Sequence, residues 1–340
     1  MLRELGNIAT RRGVQDLAQE RYGSALALYR TLGDRWGESS VLNNLGNLAY
    51  DCGDYITAQG HLMAALTLYR ESGNLPGEAK ALNNLANVAA DCQDYGTALR
   101  RYREALQIHQ TLQNQLAQSA VLNNLGALYW GLGLYPEARK VYERALAMFR
   151  ESNNLQAEGE CLANFSLLEL HAGNLQVALR LGHQAVDASQ RSGDAPNLAN
   201  ASTYLGKTYT ALGQFDAAED WYQKARAIRS EVPHAGRVLE LNAELAALTL
   251  RRGDPVKALM EIAPVLQALQ TDDALEGAEE PYHVYWVCYQ ILSANADPRA
   301  PVILAQARER LLNQTERIPE PELRRSFLEN ILTHRRIMEE

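Results

Sequence analysis

The chain repeats itself every 40 residues. Alanine stands at Ala18, Ala58, Ala98, Ala138, Ala178, Ala218 and Ala258. A second series follows seven positions later at Ala25, Ala65, Ala105, Ala145, Ala185 and Ala225, closed by Val265. Leu5-Gly6 returns as Leu45-Gly46, Leu85-Ala86, Leu125-Gly126, Phe165-Ser166, Leu205-Gly206 and Leu245-Ala246. Glycine follows at Gly13, Gly53, Gly133, Gly173, Gly213 and Gly253, with Gln93 in the remaining place. One such unit cannot bury its apolar face alone, so a register held through seven copies restricts the chain to stacking unit on unit.

Each unit reads as two helices. Val41, Leu42, Leu45, Leu48 and Ala49 recur at helical spacing and stop at Gly53-Asp54. Tyr55, Ala58, Leu62, Ala65, Leu66 and Tyr69 form a second stripe that ends at Gly73-Asn74. Asp34, Asn74, Asn114, Asn154 and Asp194 stand at the turns, where short polar side chains bond nearby backbone. The two alanine series let helices approach closely. The predicted fold is all-α: an α-solenoid of antiparallel helix pairs, with seven repeats over residues 1–270 and a helical C-terminal cap over 271–340.

Composition narrows the class. With 340 residues, 46% hydrophobic and 22% charged, the chain can build a core. No window approaches the roughly 18 apolar residues of a membrane helix, and Met1 to Asn7 show no secretory leader. These features predict a cytoplasmic protein that does not engage a membrane. A net charge of −8 argues against direct nucleic-acid binding, and four cysteines make no disulfide framework.

The run Leu125-Gly126, Tyr129, Gly133, Tyr135, Ala138, Tyr142 and Ala145 resembles the tetratricopeptide repeat, in the 40-residue form of kinesin light chain, Pins-type proteins and bacterial multidomain regulators. The resemblance covers residues 1 to about 270. It implies a right-handed superhelix whose first helices line a concave face that holds peptides.

The ends depart from the repeat. A helix from Glu280 to Ser293, a second from Arg299 to Ile318 and a last charged helix from Pro319 through Arg335 are predicted. The last is expected to cover the apolar end of the stack. Ala294 to Ala300 and Leu323 to Asn330 are similar to the ends of such arrays in bacterial regulators. No polar cap precedes Met1, which suggests an array derived from a longer protein with an upstream module.

Positions i, i+4 and i+7 or i+8 of a first helix share a face. In repeat two these are Asn43, Asn47, Tyr50 and Asp51; in repeat three, Asn83, Asn87 and Asp91; in repeat four, Asn123, Ala127 and Trp130. Repeat one gives Arg3, Asn7 and Arg11. Ala163, Leu167 and His171, then Thr203, Lys207 and Thr210, follow in the later copies. Asparagine is a poor helix former, so its recurrence needs a cause. An amide offers donors and an acceptor to any peptide backbone. A second series, Asn44, Asn84, Asn124 and Asn164, lies about 100° around the helix; it either lines the groove's edge or bonds a neighbouring segment. Arg3, Asn7, Asn44 and Lys80 stand at places resembling the carboxylate clamp of chaperone adaptors, but Asn84 replaces the clamp's last basic residue and the longer repeat alters the spacing. An extended partner with a basic stretch and an acidic end fits the charges at Asp51, Asp91, Arg3 and Arg11.

No catalytic, metal or cofactor set is predicted. Gly206-Lys207-Thr208 lacks the earlier glycine of a phosphate loop, since Ala201 stands there. Cys52 and Cys92 are equivalent residues of adjacent repeats with no close companion ligands. The sequence therefore reads as a scaffold binding a peptide or helical segment, the alternative being a ligand- or peptide-sensing arm of a bacterial regulator.

Overall fold

A computed structural model describes residues 1–231, 235–271 and 274–340; the side chain of Arg11, one of the predicted groove residues, lies outside that description. Among the described residues there are eighteen helices and no strand. They follow the predicted period: α1 (Leu2–Arg11) and α2 (Gln15–Leu32), α3 (Arg35–Asp51) and α4 (Tyr55–Glu71), α5 (Leu75–Asp91) and α6 (Tyr95–Thr111), α7 (Gln115–Gly131) and α8 (Tyr135–Glu151), α9 (Leu155–His171) and α10 (Leu175–Ser192), α11 (Ala195–Ala211) and α12 (Phe215–Glu231), α13 (Ala235–Arg251) and α14 (Pro255–Ala268). The chain is an α-solenoid, divided into two compact units, Met1–Leu128 and Tyr129–Glu340.

Local chemistry explains the pairs. The carboxylates of Asp34 and Asp194 and the amides of Asn74 and Asn154 each accept from the backbone N–H three residues on, at 2.9 to 3.2 Å, and so start α3, α11, α5 and α9. Asp54, Asp94 and Asp254 cap α4, α6 and α14 in the same way. Gly53 turns the chain with φ +78, and Gln93, in the equivalent place, keeps the left-handed conformation at φ 64, costing roughly 1 kcal/mol. All seven alanines of the first series are 0% exposed, so each is a point of helix contact where a larger side chain has no room. Gly46 marks another close approach, because a Cβ there would lie 2.5 Å from the Leu62 side chain.

The C-terminal cap comprises α15 (Pro281–Ala294), α16 (Ala300–Glu316), α17 (Pro321–Glu329) and α18 (Leu332–Glu339). The single last helix expected from the sequence is therefore two. Ser326 Oγ donates to the Leu132 carbonyl at 2.8 Å, and Asn330 Nδ2 donates to the Gly133 carbonyl at 3.1 Å. These bonds seat the end of α17 in the turn before α8, and the chain leaves helical geometry at Ile331. The segment is also less polar inside than its charge suggested, with Phe327 and Ile337 buried. Among the described residues no helix is long and apolar enough to cross a membrane.

Candidate functional site

In unit 1 the first helices align their asparagines into a ladder. Asn44 Nδ2 donates to Asn7 Oδ1 at 3.0 Å, and Asn84 Nδ2 to Asn43 Oδ1 at 3.3 Å. Asn124 Nδ2 donates to both Asn83 and Asn87 at 3.2 Å. Tyrosines of the second helices join it: Tyr22 donates to Asn7 Oδ1 at 2.8 Å and Tyr102 to Asn87 Oδ1 at 2.6 Å. The second asparagine of each pair thus ties its repeat to the one before. Asn43 and Asn123 are 1% and 4% exposed and point into the packing between repeats, whereas Asn7, Asn44, Asn47, Asn83, Asn84 and Asn87 are half-buried.

A groove of about 620 Å³ opens at the start of this ladder. Arg3, Asn7, Asn44 and Lys80 converge on it from α1, α3 and α5, with Trp36 and Tyr69 on its walls. Arg3 pairs with Glu4 at 2.8 Å and lies 5.5 Å from the Trp36 ring centroid. Lys80 reaches solvent, yet the surrounding wall and then the Arg3 charge pull its pKa down. Two cations that disfavour each other, beside two amides, make a local excess of positive charge and donors in an acidic protein. Trp36 escaped the sequence reading. Its signal is that its register position holds Pro76, Leu116, Gln156 and Pro196 elsewhere, so an aromatic there is out of pattern, and it is 58% exposed.

The other predicted residues lie apart from that groove. Tyr50 lies tilted against Tyr55, with ring centroids 5.9 Å apart, and is held protonated by burial and then by Asp91. Asp51 is exposed, with its pKa raised by partial burial, and Asp91 is also exposed. Trp130 belongs to unit 2, edge-on to His171 at 5.5 Å.

Unit 2 carries charges at the positions where unit 1 has amides. Lys207 stands in register with Asn47 and Asn87, and Glu244 with Asn44, Asn84 and Asn124. Lys207 is 7% exposed and meets Glu240 at 2.7 Å, Glu244 at 3.3 Å and also Glu280. His171 lies 2.9 Å from Glu280, and His283 lies 3.1 Å from Glu244. The Glu279 backbone N–H donates to Glu240 at 3.0 Å, and Tyr204 donates to the Glu279 carboxylate at 3.2 Å. Burial alone would strip these charges, but their mutual attraction wins. Lys207 keeps its proton far above the usual range, and Lys207 with His283 holds Glu244 down at about 2. The Lys207 of the sequence Gly206-Lys207-Thr208 is thereby engaged by three glutamates, and Gly206 packs on the Tyr222 ring. The segment from Glu279 to His283 fills the face that the first helices of this unit present.

No curated protein sequence matches the chain significantly. Solved structures do match in fold. RapI in its apo form is 17% identical, with a TM-score of 0.64 over 79% of this chain and 96% of that one. The Rap conjugation gene regulator of plasmid pLS20, solved with a Phr peptide, is 13% identical, with a TM-score of 0.66 over 85% of this chain and 78% of that one. Aspartyl phosphate phosphatase F from Bacillus subtilis is 16% identical, with a TM-score of 0.61 over 77% and 67%. The profile of the tetratricopeptide repeat matches residues 37–109, 77–151 and 155–231, together more than half of the chain. With the period, the helix pairs and the turn chemistry in agreement, the chain belongs to the tetratricopeptide repeat family.

Proposed function

We propose that the chain is a cytoplasmic interaction module that binds rather than catalyses, and that the unit 1 groove holds an extended peptide segment of a partner. An acidic group of that segment sits between Arg3 and Lys80, its backbone bonds the amides of Asn7 and Asn44, and an apolar side chain lies on Trp36. The ladder through Asn47, Asn83, Asn84 and Asn87 continues the path, and Tyr50, Asp51 and Asp91 favour a basic stretch further along. The observation that carries this reading is the convergence of two cations, two amides and an exposed indole on one cleft. A clamp of this composition suits an oxyanion, because charge-assisted bonds are the strong ones. The regulator solved with a Phr peptide supports peptide capture on this fold and the companion reading of a peptide-sensing regulatory arm.

Fluorescence anisotropy with a random pentapeptide library, made once with free and once with amidated C-termini, tests this. Binding of acid-ended peptides is expected, weakened roughly tenfold by Arg3→Ala and again by Lys80→Ala, at unchanged helicity. Equal binding by wild type and the double variant, or none at millimolar peptide, overturns the reading.

A further inference from the structure

One position of the 40-residue register closes each second helix against the next repeat. Its occupants Tyr69, His109, Phe149, Ser189 and Leu269 are each at most 5% exposed, and Tyr29 is half-buried. The remaining occupant is Arg229, in unit 2, 6% exposed. The fold has put a permanent cation where it elsewhere places an aromatic, aliphatic or small side chain.

Among the described residues no carboxylate reaches that guanidinium at ion-pair distance, although Glu240 and Glu279 attract it from farther off. Its Nη2 donates to Asn200 Oδ1 at 2.8 Å, while its buried Nε has no hydrogen-bond partner. The neighbouring Arg237 takes Glu279, and Glu240 at 3.9 Å, leaving Arg229 without a carboxylate among the described residues. A buried guanidinium with an unbonded N–H and no contacting carboxylate is unfavourable. Burial, then the Arg237 charge, accordingly pulls the Arg229 pKa down. Arg229 lines a cavity of about 250 Å³ with Asn200, Arg237, Pro196, Ala199 and Ile228.

We infer that this cavity is a binding site for a carboxylate carried on a short aliphatic body, with Arg229 holding the oxygens and Pro196, Ala199 and Ile228 the chain. A guanidinium that no carboxylate contacts, in a site already holding glutamates nearby, calls for no more than a monoanion, and its fork fits a carboxylate in two parallel bonds. A phosphate would leave oxygens against apolar wall without donors. Asn200 fixes the guanidinium plane by taking one N–H of Nη2, and the other remains for the carboxylate. The site lies wholly within unit 2 and does not depend on the unit 1 groove.

Thermal unfolding and calorimetry of the full chain with sodium butyrate, against butyramide and against sodium chloride of equal ionic strength, form the test. Butyrate is expected to raise the melting temperature, since a ligand that binds the folded state stabilises it, and butyramide is not. Arg229→Leu and Arg229→Tyr should weaken butyrate binding by about tenfold or more, while the Arg3→Ala/Lys80→Ala variant keeps it. The tetrapeptide Gly-Gly-Ala-Val, with free and amidated ends, separates two sources of the ligand: a stronger response to the free-ended peptide than to butyrate identifies a protein C-terminus, and response to butyrate alone identifies a free acid. Equal responses to butyrate and butyramide overturn the inference. So does an Arg229→Tyr protein that still responds as wild type does. If either variant fails to fold, the butyrate–butyramide contrast in wild type decides alone.

Discussion

In unit 1 the first helices set Arg3, Asn7, Asn44 and Lys80 around an open groove, and their asparagines bond one another from repeat to repeat. In unit 2 the same register positions carry Lys207, Glu240 and Glu244, and the chain's own Glu279, Glu280 and His283 lie against them. Amides satisfy one another at modest strength and leave capacity for a visitor. Buried charges do not tolerate vacancy, so unit 2 brings its counter-charges in cis. One backbone register thus supports an open face or a filled one, according to whether the positions of Asn7 and Asn44 hold amides or, as Lys207 and Glu244, buried charges.

The largest blow to that difference is Lys207→Met. Removing the cation leaves Glu240, Glu244 and Glu280 facing each other, and a loss of about 3 to 5 kcal/mol is expected. Urea unfolding followed by hydrogen exchange should show the loss in α9 to α18 and unchanged protection in α1 to α6. Uniform loss along the chain would mean that the two faces are not independently maintained.

Acid comes next. His334 is buried against Phe327 and Tyr282, with its Nδ1 2.8 Å from the Phe327 carbonyl. Burial depresses its pKa to about 4, against the partial support of that bond. The unfolded chain takes the proton from about pH 6.5 downward while the folded chain refuses it. Stability therefore falls as pH drops from about 6.5 towards about 4, by up to about 3 kcal/mol. His283 works in the opposite sense: burial opposes its charge, but Glu244 raises its pKa. Its contribution is complete below the ordinary histidine range and fades as pH rises through the raised value. Melting temperatures of wild type and His334→Gln from pH 7 to pH 4 separate the two, the variant losing most of the acid slope. An unchanged slope would place the acid sensitivity elsewhere.

The smallest expected effect sharpens the open side. Asn124→Ala removes two donated bonds from the ladder and should cost about 1 kcal/mol by urea unfolding, with peptide affinity at the Arg3 end unchanged. A large affinity loss there would show that the ladder transmits order along the groove.

The fold was legible because its determinants are periodic. Alanine at contact points, glycine or a tolerant residue at left-handed turns and Asp or Asn at helix starts recur every 40 residues, and each acts locally. Asn44, Asn84 and Asn124 were legible as a series but not as a ladder, since a one-dimensional pattern does not say which neighbour an amide meets. The break at Ile331 and the seat of Ser326 on Leu132 were not legible, because they depend on contacts between residues far apart in the chain. Nor was the gathering of Lys207, His171 and Glu280. Arg229 shows that departures from the period inform as much as its observance: its register partners identify the site as core, and a guanidinium there needs a reason.

The bond between Ser326 and Leu132 spans 194 residues. Every repeat can settle on its predecessor as it leaves the ribosome, but this contact waits for 194 further residues. At 5 to 20 residues per second, the turn before α8 is made roughly 10 to 40 s before Ser326 is added. Within that interval Lys207, Glu240 and Glu244 are made before Glu279, Glu280 and His283, so the charged face of unit 2 stays uncovered until residue 283 has been added. Translation speed from α11 to the start of α15 therefore sets how long that face is presented to other molecules in the cell.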